Sequence, residues 1–217
     1  MDPRDAADVA TRRATVDDLD AAAAALGAAF ADYAWTRWTV EEQDHVERIT
    51  ALQRLALERL GLPFGDVWVT TVTGVVACVA LWMDSAVDIP VAIEHAVAAA
   101  SAALEGDRHD ASVRAERQIS DIGWRPSARH AYLGTIGTRP EWQGRGLARR
   151  TLAPVLRRSD DDGVPAFLET SSTANVALYT SLGFEVTAHQ LIDGGGPDVW
   201  AMLRRPAGRG RAALRSE

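Results

Sequence analysis

The chain has 217 residues, and its 47% hydrophobic and 24% charged content is that of an ordinary water-soluble protein with one sizeable core. A net charge of −7 argues against nucleic-acid binding and mildly favours a cationic partner. The single cysteine, Cys78, excludes an internal disulfide and a multi-cysteine zinc site, and no metal ligand set is expected.

The first five residues lack the charged-then-apolar pattern of a signal peptide. The apolar run over 21–30 is too short to span a membrane, so the cytoplasm is the expected location, with no membrane partner. Val9–Arg13 reads as a first strand. Thr15, Val16, Asp17 and Asp18 bring a hydroxyl and acids suited to a helix start, and the alanine-rich run to Phe30 continues that helix. A second helix is expected from about residue 39 to 60, with Ile49, Leu52, Leu55, Leu57 and Leu60 as apolar positions and Gly61 and Pro63 as its stop. Residues 67–72 and 75–82 are β-rich, and Thr73-Gly74 between them signals a hairpin. Cys78 lies in the second run and reads as a small buried apolar residue.

Residues 90–104 read as a further helix, whereas 108–128 are polar and receive no element. A strand over 131–138, a helix over 146–158 and a strand over 165–170 follow. Then come a short helix over 174–182 and strands over 184–191 and 198–203, joined by a turn from Asp193 to Pro197. The arginine-, glycine- and proline-rich stretch 204–217 reads as a flexible tail, leaving 1–203 as one domain. The sum is a mixed α/β sheet with helices on both faces.

The most informative stretch is HAYLGTIGTRPEWQGRGLA over 130–148. Its glycines let the backbone approach a ligand with bare N–H groups, and the helix that follows adds partial positive charge, which suits a pyrophosphate. Such a loop is often only a turn. About thirty residues on, AFLETSSTANVALYTSLGFE over 166–185 adds a strand, a short helix with Asn175 and Tyr179 on one face, and Gly183-Phe184.

That order resembles the acetyl-CoA-binding half of the GNAT superfamily of N-acetyltransferases over roughly 130–203. AAFADY over 28–33, HVERITALQ over 45–53, VWV over 67–69, GVPAFLETS over 163–171 and LGFEV over 182–186 are similar to the puromycin N-acetyltransferase subfamily; residues 85–128 are least similar. The resemblance implies a GNAT-type α/β (α+β) fold, a mixed, mostly antiparallel sheet of six to seven strands. It also implies an acyltransferase that uses acetyl-CoA as co-substrate to acetylate a primary amine of a small molecule. In that scheme the backbone of Ile136, Gly137 and Thr138 holds the pantetheine arm, with Asn175 hydrogen-bonding it. The amides of Gln143, Gly144, Arg145, Gly146, Leu147 and Ala148 hold the pyrophosphate, and Tyr179 approaches the sulfur as general acid. Arg145, Arg149 and Arg150 could also reach phosphates.

Amide formation from a thioester requires an unprotonated amine, a donor for the oxyanion and a proton for the thiolate. Glu169, at the end of an apolar strand, could be the general base or orient the amine; equally it could bond backbone or neutralise an arginine. His130 and Tyr132 are weaker candidates. Phe30, Tyr33, Trp35 and Trp38 crowd one short segment that the resemblance assigns to the acceptor, with Tyr33, Trp35 and Trp38 taken as substrate-binding. Trp35 replaces a small residue of the subfamily and Trp38 a histidine, so the acceptor stays open between an aminonucleoside antibiotic such as puromycin, with a role in antibiotic resistance, and another small amine or polyamine. A non-catalytic acyl-CoA-binding module is the alternative from a different class. A nucleotide-triphosphate loop is excluded, because the chain contains no lysine. A monomer or homodimer is expected.

Overall fold

β1 (Val9–Arg13) runs into a 3₁₀ turn, Val16–Asp18, and then α1 (Leu19–Phe30). The corner is fastened by one carboxylate. Asp18 accepts two bonds from the Arg12 guanidinium, at 2.6 and 2.8 Å, and a third from the Thr15 N–H at 2.8 Å. The Arg12 hydrogen bonds hold the Asp18 carboxyl down to about 2.

The helix expected from about residue 39 starts six residues later, at His45, in the computed structural model, which describes residues 8–121 and 124–207, and a separate short helix precedes it. α2 (Ala34–Thr39) ends where Val40 turns extended, and α3 (His45–Ala56) begins only after Asp44, which sits at φ 55°. A carboxamide or short acid tolerates the left-handed region better than other side chains, so Asp44 can break the path. α3 continues through a π-helical turn, Leu57–Gly61, into a three-residue α4 (Leu62–Phe64).

β2 (Asp66–Val72) and β3 (Val75–Asp84) form the expected hairpin, with Thr73 and Gly74 both at positive φ. β4 (Ala131–Thr138), β5 (Ala166–Thr170), β6 (Glu185–Leu191) and β7 (Asp198–Arg204) complete a seven-stranded sheet of order β1-β2-β3-β4-β5-β7-β6. Only β4 and β5 are parallel, joined over the sheet by α7 (Leu147–Asp162). α8 (Thr173–Thr180) links β5 to β6. Between β3 and β4 stand α5 (Val91–Glu105) and α6 (His109–Asp121), so the polar stretch left without an element is largely helical. The spans match the sequence reading closely in the second half, except that α7 runs four residues further, to Asp162.

β3 is apolar on both faces because both are covered. Val79 and Leu81 join Leu26 and Leu57 beneath α1 and α3, while Ala80 and Trp82 join Leu152, Val155 and Phe184 on the α7 side. Cys78 is buried in this strand, and burial pushes its thiol up, which fits its reading as an inert core residue. A chain of hydroxyls ties α7 to the sheet: Thr11 to Thr70 at 2.8 Å, Thr70 to Thr151 at 2.7 Å, and Thr151 donating to the Leu147 carbonyl at 2.9 Å. Part of the stretch expected as a tail from 204 is ordered into the sheet. Arg204 belongs to β7 and forks onto Asp160 at 2.7 and 2.8 Å, and residues 208–217 lie outside the described ones. Among the described residues no helix is long and apolar enough to cross a membrane.

Asp18 sets an acid-sensitive contribution to stability. Its folded pKa is about 2 against an ordinary 3.8, so the stabilisation is present above about pH 4 and is lost as pH falls towards 2. Asp18→Asn is expected to lose about 1–2 kcal/mol near neutral pH. Denaturant midpoints measured at several pH values should converge with the parent protein at the acid end; a difference independent of pH would contradict the assignment.

Candidate functional site

The centre of the site is a gap in the sheet. β4 and β5 pair at Ala131–Ala166, Tyr132–Phe167 and Leu133–Leu168, and then part. From Gly134 to Thr138, β4 keeps only β3 beside it, so its alternate N–H and C=O groups on the β5 side meet no strand. The parting coincides with a bulge: Leu81 pairs with Thr135 and Trp82 with Leu133, leaving Gly134 over. Gly137 serves a different purpose. A Cβ there would lie 2.7 Å from Ala29 Cβ and 2.9 Å from Leu26 Cδ2, so the missing side chain lets α1 close over this strand.

The strand leads into the glycine loop. Gly144 and Gly146 both have φ near +74°, with nothing within 4 Å of a notional side chain. They are needed for backbone conformation and leave the space above them open. Gly146 caps the sixteen-residue α7, so the Gln143–Ala148 amides gather at a helix N-terminus, a suitable place for anionic oxygens. The Gln143 side chain donates to the Thr138 carbonyl at 3.1 Å, fixing the loop to the strand. Arg145 is exposed and lies over the Trp142 ring, 4.7 Å from its centroid. Arg149 is committed elsewhere, donating to the Ser181 carbonyl and hydroxyl.

A cleft of about 600 Å³ opens where β4 and β5 part. Tyr179 and Asn175, one turn apart on α8, both line it. Tyr179 is 4% exposed, meets Phe184 edge-to-face, and has its phenol pushed up by burial, so it stays protonated. Asn175 donates to the Thr170 hydroxyl at 3.3 Å. Tyr33 spans from the α1–α2 junction to the end of β5. Its hydroxyl lies 3.1 Å from that of Thr170 and accepts from the Ser171 N–H. Tyr33 therefore offers the cleft its ring rather than its hydroxyl.

Glu169 also lines the cleft, but its carboxylate is engaged. Arg125 donates to it at 3.0 and 3.4 Å, the Tyr132 hydroxyl donates at 3.1 Å, and the same guanidinium lies 4.8 Å from the Tyr132 ring centre. Of the alternatives open for Glu169, neutralising an arginine is the one seen. His130 is buried at the start of β4, its Nδ1 2.9 Å from the Ala128 carbonyl, and does not reach the cleft.

Phe30, Tyr33 and Trp35 form the aromatic wall. Trp38 is not part of it. It packs towards Gly194 in the β6–β7 turn, its indole N–H buried without a partner among the described residues, so of the three expected acceptor residues the cleft lining holds Tyr33 and Trp35 and not Trp38. Trp200 is likewise outside, stacked on His189 at 4.8 Å. Sequence reading missed Glu116, Ile119, Ser120 and Arg125, all in the cleft lining and all from the segment that had received no element. The signal available was faint: Ala115 and Ile119 are one turn apart and apolar in a polar run. They pack with Ile192, Val199 and Trp35, and Glu116 and Ser120 then sit beside that stripe over the cleft.

The model for the acetyltransferase (GNAT) family matches residues 28–184. An uncharacterised N-acetyltransferase of Schizosaccharomyces pombe is 34% identical over 53 residues, which are 24% of this chain and only 22% of that relative's length. A Corynebacterium glutamicum structure described as histone acetyltransferase HPA2 and related acetyltransferase aligns with a TM-score of 0.67 at 24% identity, over 92% of this chain and 97% of the other. The structure of yncA from Salmonella typhimurium, solved with its cofactor acetyl-CoA, aligns at 0.52 and 18% identity, over 91% and 94%. At these identities the two structures speak for the fold.

Gly137→Ala tests the close approach of α1 to β4. The added methyl forces the helix or the strand aside and should destabilise the protein by about 1–3 kcal/mol, measured by chemical denaturation. An unchanged midpoint would mean that α1 does not rest on this strand.

Proposed function

The chain belongs to the acetyltransferase (GNAT) family, whose members are acyltransferases, and on that premise we propose that it transfers the acetyl group of acetyl-CoA to the primary amine of a small, flat, cationic molecule. The observation that carries this reading is the one-sided edge of β4, which leads through a 3₁₀ turn, Pro140–Trp142, into the open glycine loop at the α7 N-terminus. An extended, amide-rich arm ending in a diphosphate has the shape and donor pattern such a path accepts. Ile136, Gly137 and Thr138 would hold the arm along the strand, and the Gln143–Ala148 amides would hold the diphosphate.

When bound, acetyl-CoA supplies an activated thioester. Tyr179 holds a proton at the inner end of the path and would give it to the departing thiolate, the amine having lost its own proton to water at the open mouth before it attacks; Asn175, one turn earlier, would orient the arm. Glu169, clamped by Arg125 and Tyr132, positions groups at the mouth rather than taking the proton itself. Phe30, Tyr33 and Trp35 bury the flat body of the acceptor, and the wall excludes water from the reacting amine. Puromycin-type aminonucleosides, and with them antibiotic resistance, are the first acceptors to test; polyamines come second. A purely binding module has no use for a buried phenol at the inner end of the cleft, so the enzymatic reading is preferred.

Release of free thiol from acetyl-CoA in the presence of puromycin and a panel of amines tests the proposal, with turnover of at least one flat amine expected. Tyr179→Phe should lower kcat about 10²-fold while the KM for acetyl-CoA stays within about twofold. Full turnover in that variant would remove Tyr179 as the acid, and silence across the panel would remove the activity.

A further inference from the structure

The two carboxylates of the cleft are not equivalent. Glu169 is already neutralised by Arg125, whereas Glu116 forms no ion pair with any described residue. Glu116 comes from α6, part of the α5–α6 pair inserted between β3 and β4, and it stands over the cleft with Ser120 one turn on. α6 is held in place by packing: Ala115 and Ile119 are buried against Ile192 and Val199, with Trp35 partly buried at the same seam. The same seam therefore brings Trp35 and an exposed carboxylate into the lining of one cleft.

We propose that Glu116 receives the ammonium of the acceptor, so that the cleft selects cationic amines with a flat apolar body and rejects those that carry an acidic group. This rests on the acetyltransferase reading and names its substrate class. The charge arithmetic is local. Arg125 and Glu169 cancel, leaving Glu116 as the cleft's net charge, and a cation placed between it and the rings of Tyr33 and Trp35 meets a carboxylate on one side and π-faces on the other. An acceptor that brought its own carboxylate would face Glu116 across a partly dehydrated space.

Glu116 is exposed, yet its neighbours strip part of its water, and that desolvation, followed by repulsion from Glu105, raises its pKa, with Glu169 adding to the effect; Arg125 and His109 oppose it. These four charged or titratable groups face it from α5, α6, β5 and the segment after α6. An ammonium relieves the strain by supplying the missing counter-charge, so amine binding strengthens as pH rises through the raised Glu116 pKa.

Calorimetric titration of the full chain with puromycin, tryptamine and tryptophol separates the possibilities. The intact protein should bind at least one of the two amines more tightly than the uncharged alcohol. Glu116→Gln should weaken that amine about tenfold and leave tryptophol unchanged, with Glu116→Asp intermediate. The pH dependence of amine affinity should flatten in the Gln variant, a change that a merely structural role would not produce. Equal loss for amine and alcohol, no loss at all, or no amine binding to the parent protein would each overturn the inference. The underlying reading is checked in the same instrument with acetyl-CoA: uptake without Glu116 dependence sinks only the substrate class, and no uptake sinks the reading itself.

Discussion

Everything at the site follows from β4 and β5 separating after Leu133 and Leu168. A sheet that closed at this point would satisfy its own backbone groups and leave no room for a ligand. Two features hold the strands apart. The bulge at Gly134 turns β4 out of register with β3, and Tyr33 takes up the N–H of Ser171 just beyond the end of β5. Each acts from a different element, so the gap is built into the packing of the molecule. The cost of an open edge is offset by whatever strand-like ligand completes it.

The same gap sorts the charges around it. The amides of the glycine loop lie at one end, where α7 begins, and the carboxylates Glu169 and Glu116 line the cleft. On the proposed reading a donor with an anionic tail and an acceptor with a cationic head would be drawn to different parts of one path, and their reactive atoms would meet near Tyr179. The phenol suits that meeting point because burial keeps it protonated. Glu169 accepts hydrogen bonds from both Arg125 and Tyr132, and on the proposal above acceptor recognition falls to Glu116, which pairs with no described residue.

Much of this was legible in the chain itself. The glycine loop, and Asn175 with Tyr179 one turn apart, are local signals whose meaning depends only on neighbours in sequence. The strands of the second half were readable from alternating and β-branched runs for the same reason. The break at Asp44 was not readable, because a left-handed aspartate looks like any other acid in a helical run. Glu169 could be placed at a strand end, but its partner Arg125 is 44 residues away in sequence, and only the fold brings the two together. Trp38 shows the same limit from the other side: it lies among cleft aromatics in sequence, yet α2 turns it towards Gly194. The roof of the cleft was the least legible part, since α6 gains its meaning from Ile192 and Val199, which arrive from the far edge of the sheet.

Amide hydrogen exchange with and without coenzyme A tests the central claim most directly. The account predicts slowed exchange in two separate segments on coenzyme addition, 134–138 on the open strand edge and 143–148 in the glycine loop, with the β1–β2 pairing unaffected. No protection in either segment, or protection confined to another part of the sheet, would contradict it.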